Sequence, residues 1–380
     1  VSVPADGGDR RVLVWMAAMY AVYYAATGLH QPYFPLWLKA HGLGEGEISV
    51  ILSLPLALRV LVVPALGRLA DRSGTPTRLL ALLMAAFAML AFGLGFAPGF
   101  WSILIVTGAM MVVWQGGSPL LDATALNLVR RGIASDYGRL RLWGSLSFIA
   151  ASFSGGFLLA AGGPALTFAS FQILTGAVFL VALGVALAVP ARSSEAALAT
   201  EPPPVGGFRR TLVAAALIQA SHMAFNAFGS IHLRASGYDD TSIGLLWAVA
   251  AASEIGMFWA GPAIARRIAP RHLLMLAAAC ASLRWALFPE AGSLWLLLAL
   301  QMTHAVTFSG TYLGLMRTIV LTVSEARAAS AQSLFMTILS VLSAAATLGF
   351  GQLYGLIGGE MYWVAALLPI LALGLLATRR

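Results

Sequence analysis

The sequence predicts an all-α membrane protein, twelve transmembrane helices in two pseudo-symmetric six-helix bundles, and three observations carry that prediction. Composition is the first: of 380 residues, 59% are hydrophobic and 10% charged, and the mean hydropathy is +0.85. Soluble chains average about 25% charged residues, so this chain cannot cover a water-facing surface of its own size. Period is the second: runs such as Leu79–Phe96 lack the two-residue alternation of a membrane β-barrel. A spanning helix takes roughly 20 apolar residues, which leaves room for about twelve with their connectors. Duplication is the third: Leu38, Gly42, Ile48 and Arg59 recur as Leu233, Gly237, Ile243 and Glu254 at a constant offset of 195.

The spans follow as apolar runs between charged punctuation. Span one (12–38) lies between Arg11 and Lys39, span two (47–67) ends before Arg68, and span three (77–97) begins beside Arg78. Span four (100–129) closes on Arg130 and Arg131, span five (139–162) opens on Arg139, and span six (164–190) runs to a polar stretch. Span seven (211–235) follows Arg210, span eight (241–265) precedes Arg266, and span nine (271–290) opens on Arg271. Spans ten (292–320), eleven (326–350) and twelve (360–378) complete the set. Alternate sides then collect 17 and 2 basic residues, the pair being Lys39 and Arg234, while Arg59, Arg141, Arg284 and Arg317 fall within spans. The positive-inside rule puts both termini in the cytosol. The net charge of +8 and pI near 10.1 therefore report orientation, and no nucleic-acid partner is expected.

The polar stretch 191–210, with Glu195, Glu201 and Pro202 to Pro204, is expected to be a cytoplasmic linker between an N-terminal bundle (1–190) and a C-terminal bundle (211–380). The first apolar run continues as a span, so no cleavable signal is expected. Cys280 is the single cysteine, and with His222, His232 and His304 it forms no ligand set by spacing, so neither a disulfide nor a metal is expected. A duplicated six-helix unit is a known transporter architecture with its site between the halves.

An ionisable side chain at membrane depth is a functional hypothesis by default. Asp122 and Glu254 are the acids, joined by the four intramembrane arginines and His304. Gln115, Ser118 and Asp122 share one face of span four; Arg141, Ser145, Phe148 and Ser152 share one face of span five. Sequence neighbours of this kind allow an Asp122–Arg141 ion pair. Glu254 lies about twelve residues into span eight, roughly 18 Å along the helix, at a depth similar to Arg284 and His304. Tyr23, Thr27, His30 and Phe34 share a face of span one, and His222 and Asn226 share a face of span seven; each is as compatible with helix packing as with lining a cavity.

Several motifs resemble the major facilitator superfamily. Gly67-Arg68-Leu69-Ala70-Asp71-Arg72 is similar to its loop signature, a glycine-led turn with an acid and flanking arginines that holds inner helix ends together until the halves rock. Its second-half counterpart, Pro262 to Arg267, has lost the acid. Gly117 to Asp122, Gly138 to Gly144, Ser282 to Trp285 and Gln301 to His304 resemble the lactose-permease-like, oligosaccharide/proton symporter branch. That resemblance implies substrate-binding roles for Asp122, Arg141 and Phe148, and places Arg284, Gln301 and His304 in the coupling region. Where that branch carries its proton-binding glutamate, three residues past His304, this chain has Thr307. Threonine cannot titrate, so proton duty is expected at Glu254 or Asp122, with His304 as a relay.

A closer resemblance is to the phenylpropionate-permease-like branch. It runs through Pro32 to Leu38, the Arg59 span, Tyr137 to Ser145, Glu254, Arg284-Trp285 and His304 to Phe308. It implies a proton-coupled symporter of a small organic solute, an aromatic acid first, working by alternating access. Arg284, Arg141 or Arg59 would meet the anion, and spans one, four, seven and ten would present Tyr23, Thr27, His30, Gln115, His222, Asn226, Gln301 and Thr307 to substrate. The alternatives are a sugar or nucleoside symporter, an exporter of hydrophobic compounds, or a receptor or scaffold on a transporter fold. A membrane enzyme is excluded for want of a Walker loop, a metal-ligand helix pair or a nucleophile–base motif. The expected partners are a small solute, a proton and the bilayer of the cell inner membrane, for a monomer powered by the proton gradient with no cofactor.

Overall fold

Hydrocarbon offers the backbone no hydrogen-bond partner, so an apolar run must satisfy its own amides as a helix. The computed structural model describes residues 7–73, 75–189 and 207–378, nearly all of them helical. In order these are α1 (Gly7–Ala40), α2 (Glu45–Ser73), α3 (Pro76–Leu94), α4 (Gly99–Gln115) with α5 (Gly117–Arg130), and α6 (Tyr137–Ala188). There follow α7 (Gly207–Ser221) with α8 (Met223–Ala235), α9 (Asp240–Arg267) and α10 (Pro270–Leu287). The chain ends with α11 (Leu294–Met302), a π-helical segment Ala305–Gly310 and α12 (Thr311–Thr322), then α13 (Glu325–Ile357) and α14 (Met361–Ala377).

These elements reproduce the twelve predicted spans among the described residues. Span four is α4 plus α5, broken at Gly116; span seven is α7 plus α8, broken at His222. Span ten is α11, the π segment and α12. α6 holds spans five and six, which turn on themselves at Gly162 and Gly163, two residues with non-helical backbone. Among the described residues, eight helical stretches, some of them joined pairs, are long and apolar enough to cross a bilayer. Large side chains such as Leu61, Trp101 and Trp259 stand exposed (71%, 72% and 88%), as a lipid-facing surface requires.

The duplicated corner is visible in the backbone. Gly42 and Gly237 both take the left-handed conformation after a helix end, with φ of 79° and 84°. On either side Leu38 and Ile48 in one copy, Leu233 and Ile243 in the other, are all at most 1% exposed. Only glycine adopts that turn freely, and the flanking aliphatics pin entry to the next helix. The two copies cap that helix differently: Glu47 Oε2 accepts from the Gly44 amide at 2.9 Å, whereas Asp239 Oδ1 accepts from the Ser242 amide at 2.8 Å.

Two compact units result, one of Val1–His41 and Leu61–Ala196, the other of Gly42–Val60 and Ala197–Arg380. In the first, α1 and α3 pack on α6. In the second, α7 and α10 pack on α14, and α9 packs on α11 and the π segment. The first half of α2 groups with the second unit, where Ser49 closes on Gly351 of α13 so tightly that a Cβ at Gly351 would sit 2.1 Å from that of Ser49.

The stretch expected as a glycine-led turn is helix instead. Gly67 and Arg68 lie inside α2, exposed, and the helix runs on to Ser73 before Pro76 opens α3. Nothing in Gly67 to Arg72 stops a helix, as proline does. The side chains of Asp71 and Arg72 lie outside the described residues, as does most of the predicted linker 191–210. Arg317, expected within span ten, reaches the end of α9 and donates to the Ile268 carbonyl at 2.7 Å.

Candidate functional site

Among the described residues, a polar cluster lies at membrane depth in each unit. In the first, the Asp122 carboxylate on α5 accepts from three hydroxyls: Tyr20 (2.7 Å) and Tyr137 (3.0 Å) on Oδ1, and Ser118 (3.4 Å) on Oδ2. Tyr20 and Tyr24 stand one helical turn apart on α1, Ser118 one turn before Asp122, and Tyr137 at the start of α6. Arg141 donates to the Tyr24 hydroxyl and lies over that ring, 4.5 Å from its centroid. Guanidinium can only donate, so Tyr24 passes its own proton to Ser118 at 3.3 Å. Asp122 and Arg141 are thus joined through Tyr24 and Ser118, and the direct ion pair expected from sequence is not formed. Tyr24 reaches this position because Gly144 on α6 leaves room; a Cβ there would meet the ring at 2.6 Å.

The remaining first-unit candidates line α1 and its neighbours. Tyr23 is stacked on Trp114, with ring centroids 3.8 Å apart, and its hydroxyl donates to the Trp114 carbonyl at 3.0 Å. Thr27 donates to the Tyr23 carbonyl at 3.0 Å. His30 stacks on Phe34 at 4.5 Å within a nest of Trp37, Phe168 and Phe171, apart from the Asp122 cluster, and lines a small cavity there. The predicted polar face of span five turns toward α1, where Ser152 donates to the Gly28 carbonyl at 3.2 Å and the Phe148 backbone approaches the same glycine. Gln115 and Phe148 are half-buried, as is Arg59, which lies on the part of α2 that groups with the second unit.

The second cluster gathers residues from α7, α9, α10 and span ten. Arg284 is 1% exposed and stacks over Trp285. Its NH1 donates to His304 Nδ1 at 3.0 Å and to Thr307 Oγ1 at 3.3 Å, and its NH2 donates to Gln301 Oε1. Because the guanidinium only donates, His304 Nδ1 must accept, which leaves the imidazole proton on Nε2. That N–H faces Glu254 Oε1 at 3.1 Å, and Ser309 donates to Glu254 Oε2 at 3.3 Å. His304 is therefore neutral in this arrangement. His222 Nδ1 donates to the Ile218 carbonyl at 3.0 Å, and its Nε2 lies 3.0 Å from Thr307 Oγ1.

Local structure explains why these groups converge. The helical hydrogen bonding changes at His222 in span seven and at Thr303, just before the π segment, in span ten, while the backbone stays in the right-handed helical region, so both irregular turns lie in the cluster. π-Helical turns recur at functional sites, and this one sends Thr307 toward α7 and α10 but Ser309 toward α9. Gln219 of α7 holds the segment by donating to the Phe308 carbonyl at 3.0 Å. Glu254 keeps 27% of its side chain exposed, whereas Gln301 and Thr307 are fully buried. Asn226 is half-buried one turn beyond His222.

Thr307, which stands where the lactose-permease-like branch has an acid, is a bridge between Arg284 and His222. The acid that meets His304 comes instead from α9, fifty residues away in sequence. Sequence reading missed Tyr20, Tyr24, Gln219 and Ser309, and gave Tyr137 no role of its own. The i, i+4 spacing of Tyr20 and Tyr24 was the available signal.

Comparison with known proteins places this arrangement. The MFS_1 like family matches residues 13–366. A probable 3-phenylpropionic acid transporter of Escherichia coli (strain K12) is 29% identical over 94% of this chain and 96% of its own length. A maltose permease of Geobacillus stearothermophilus is 29% identical over 76% and 74%. The crystal structure of the nucleoside transporter NupG superposes with a TM-score of 0.81 at 15% identity, covering 97% of this chain and all of that one. With twelve spans, a duplicated corner and this match over nearly its whole length, the chain belongs to the MFS_1 like family and is a multi-pass secondary transporter of major facilitator type, not an enzyme.

Proposed function

We propose that the protein is a proton-coupled symporter that imports a small aromatic carboxylate by alternating access. The observation that carries this reading is the chain Arg284–His304–Glu254, in which one imidazole joins a buried guanidinium to a half-exposed carboxylate at 3.0 and 3.1 Å. A carboxylate in that place can take a proton, His304 can relay it, and Arg284 supplies the positive charge that a substrate anion needs once the proton is on. The relative named for 3-phenylpropionic acid, which covers 94% of the chain, supports the aromatic acid.

The reading assigns the proton to Glu254, with His304 as relay and Asp122 as a second acid, and the substrate to Arg284, Arg141 and Arg59. Tyr23, Thr27, His30, Gln115, Phe148, His222, Asn226, Gln301 and Thr307 complete the binding surface, and Gly67, Arg68, Asp71 and Arg72 serve the conformational change. The moving halves are 1–190 and 211–380, joined by the cytoplasmic linker 191–210, in a monomer of the cell inner membrane with both termini cytoplasmic. A second reading, a neutral sugar symporter, rests on the maltose permease relative and on Asp122, which is ringed by hydroxyls.

Flux into proteoliposomes with and without an imposed pH gradient tests both. The acid reading expects an acid outside to drive uphill uptake of 3-phenylpropionate and not of maltose or uridine. Equal flux with and without the gradient removes proton coupling, and uphill uptake of maltose alone moves the assignment to the second reading.

A further inference from the structure

The second cluster carries an account of charge. Among its groups, Arg284 contributes one positive charge and an ionised Glu254 one negative, while His304 is neutral by its hydrogen bonds and His222, 1% exposed and sharing Thr307 with the guanidinium, is neutral because burial beside a cation disfavours a second positive charge. Cys280 and Tyr362 also neighbour the guanidinium, both uncharged when protonated, and Ser309, Thr307 and Gln301 add no charge. The cluster as it stands sums to zero. A proton on Glu254 raises it to one positive charge, which at 1% exposure on Arg284 is costly to hold. A monovalent anion restores zero; a neutral solute leaves the charge, and a dianion overshoots.

The cluster also holds donors with nothing to donate to. Arg284 Nε and Gln301 Nε2 are buried and have no acceptor, although NH2 of the same guanidinium meets Oε1 of the same amide. Buried donors are satisfied in the great majority of cases, so two of them on hydrogen-bonded neighbours ask for an acceptor. They lie beside the irregular turn of span ten, where α11 gives way after Met302 to the π segment beginning at Ala305. Such π turns recur at functional sites.

We propose that Arg284 Nε and Gln301 Nε2 receive the carboxylate of a monovalent anion, and that one proton joins Glu254 for each anion, so that the loaded site crosses without net charge. This rests on the reading of Glu254 as proton carrier. In balance, a proton from the entry side binds one Glu254 oxygen, the anion replaces Glu254 as counter-charge to Arg284, and both leave on the far side.

The test is uptake of radiolabelled 3-phenylpropionate into proteoliposomes under a pH gradient, with a potassium diffusion potential set by valinomycin. A gradient of one pH unit should give about tenfold accumulation that an inside-negative potential of 100 mV leaves unchanged; movement of one net charge would multiply it about 50-fold. A potential-dependent plateau with intact pH-driven uptake overturns the charge balance and leaves the symport reading standing. Absence of pH-driven uptake of the acid takes both down. Gln301→Glu supplies a resident carboxylate beside Arg284 and should lower acid uptake at least 100-fold while the purified variant melts no lower than the parent. Wild-type uptake by that variant overturns the proposed docking position, whatever the potential does.

Discussion

The two polar clusters use the same kinds of residue and arrange them differently. Around Asp122 every link is a hydroxyl: Tyr20, Tyr137 and Ser118 donate to the carboxylate, and Arg141 reaches it only through Tyr24 and Ser118. Around Glu254 the principal link is an imidazole, with Arg284 on its other nitrogen. Serine and tyrosine hydroxyls keep their protons across the physiological range, while an imidazole can exchange them. On the proposed reading, the first cluster holds its carboxylate more firmly and the second lets its carboxylate change state.

That contrast is broken most directly at Glu254. Glu254→Gln keeps the shape and the acceptor for His304 but cannot release a proton, so pH-driven accumulation should fall by at least 100-fold while exchange down a concentration gradient persists. Uphill accumulation that survives in this variant refutes the contrast. Asp122→Asn should do less: about tenfold on uptake, with the response to the pH gradient retained, since one amide oxygen still accepts from the tyrosines. If Asp122→Asn does the greater damage, and 3-phenylpropionate fails to compete, the neutral-solute reading gains what the acid reading loses. Tyr24→Phe is a finer cut. It removes the hydroxyl between Arg141 and Ser118, and should cost about 1 kcal/mol of stability, read as a lower melting temperature, with uptake changed only a few-fold.

How much of this was legible in the sequence follows from what each feature costs. The twelve spans were legible because lipid tolerates no other arrangement of an apolar run, and even the joint between spans five and six fell at Gly162 and Gly163 as expected. The corner duplicated at Gly42 and Gly237 was legible because only glycine fits its backbone. Glu254, Arg284 and His304 announced themselves by charge in an apolar context, and counting along each helix put them at one depth. Their contacts were not legible, because which faces of α9, α10 and span ten meet is decided by packing. Gln219 and Ser309 carry no charge, so nothing in the sequence marked them. The Asp122–Arg141 pair looked direct because the two helices adjoin in sequence; Tyr24, over ninety residues earlier, stands between. The helical run through Gly67 to Ser73 was misread because a familiar motif outweighed the absence of any helix stop.

The smallest effect expected lies at the duplicated corners, where the two sequence halves differ again. Asp239 caps α9: Oδ1 takes the Ser242 amide at 2.8 Å and the Thr241 hydroxyl, and Oδ2 takes the Ser242 hydroxyl at 2.6 Å. Those hydrogen bonds, from Ser242 first and then Thr241, lower its pKa to about 2. A carboxyl whose folded value lies below its unfolded one contributes stability above the unfolded value, near pH 4, and loses it as pH falls toward 2. The corresponding position in the first copy is Gly44, which has no side chain to titrate and is capped from Glu47 instead. Asp239→Ala should therefore cost about 1 kcal/mol at pH 7, and the difference from wild type should shrink through pH 4 and vanish near pH 2. Asp239→Asn, a comparable cap without a titrating proton, should stay close to wild type at pH 7 and lose the pH dependence. Gly44→Ala, scanned over the same range, should show no such acid-dependent difference; if it does, the two corners are not capped by different chemistry after all.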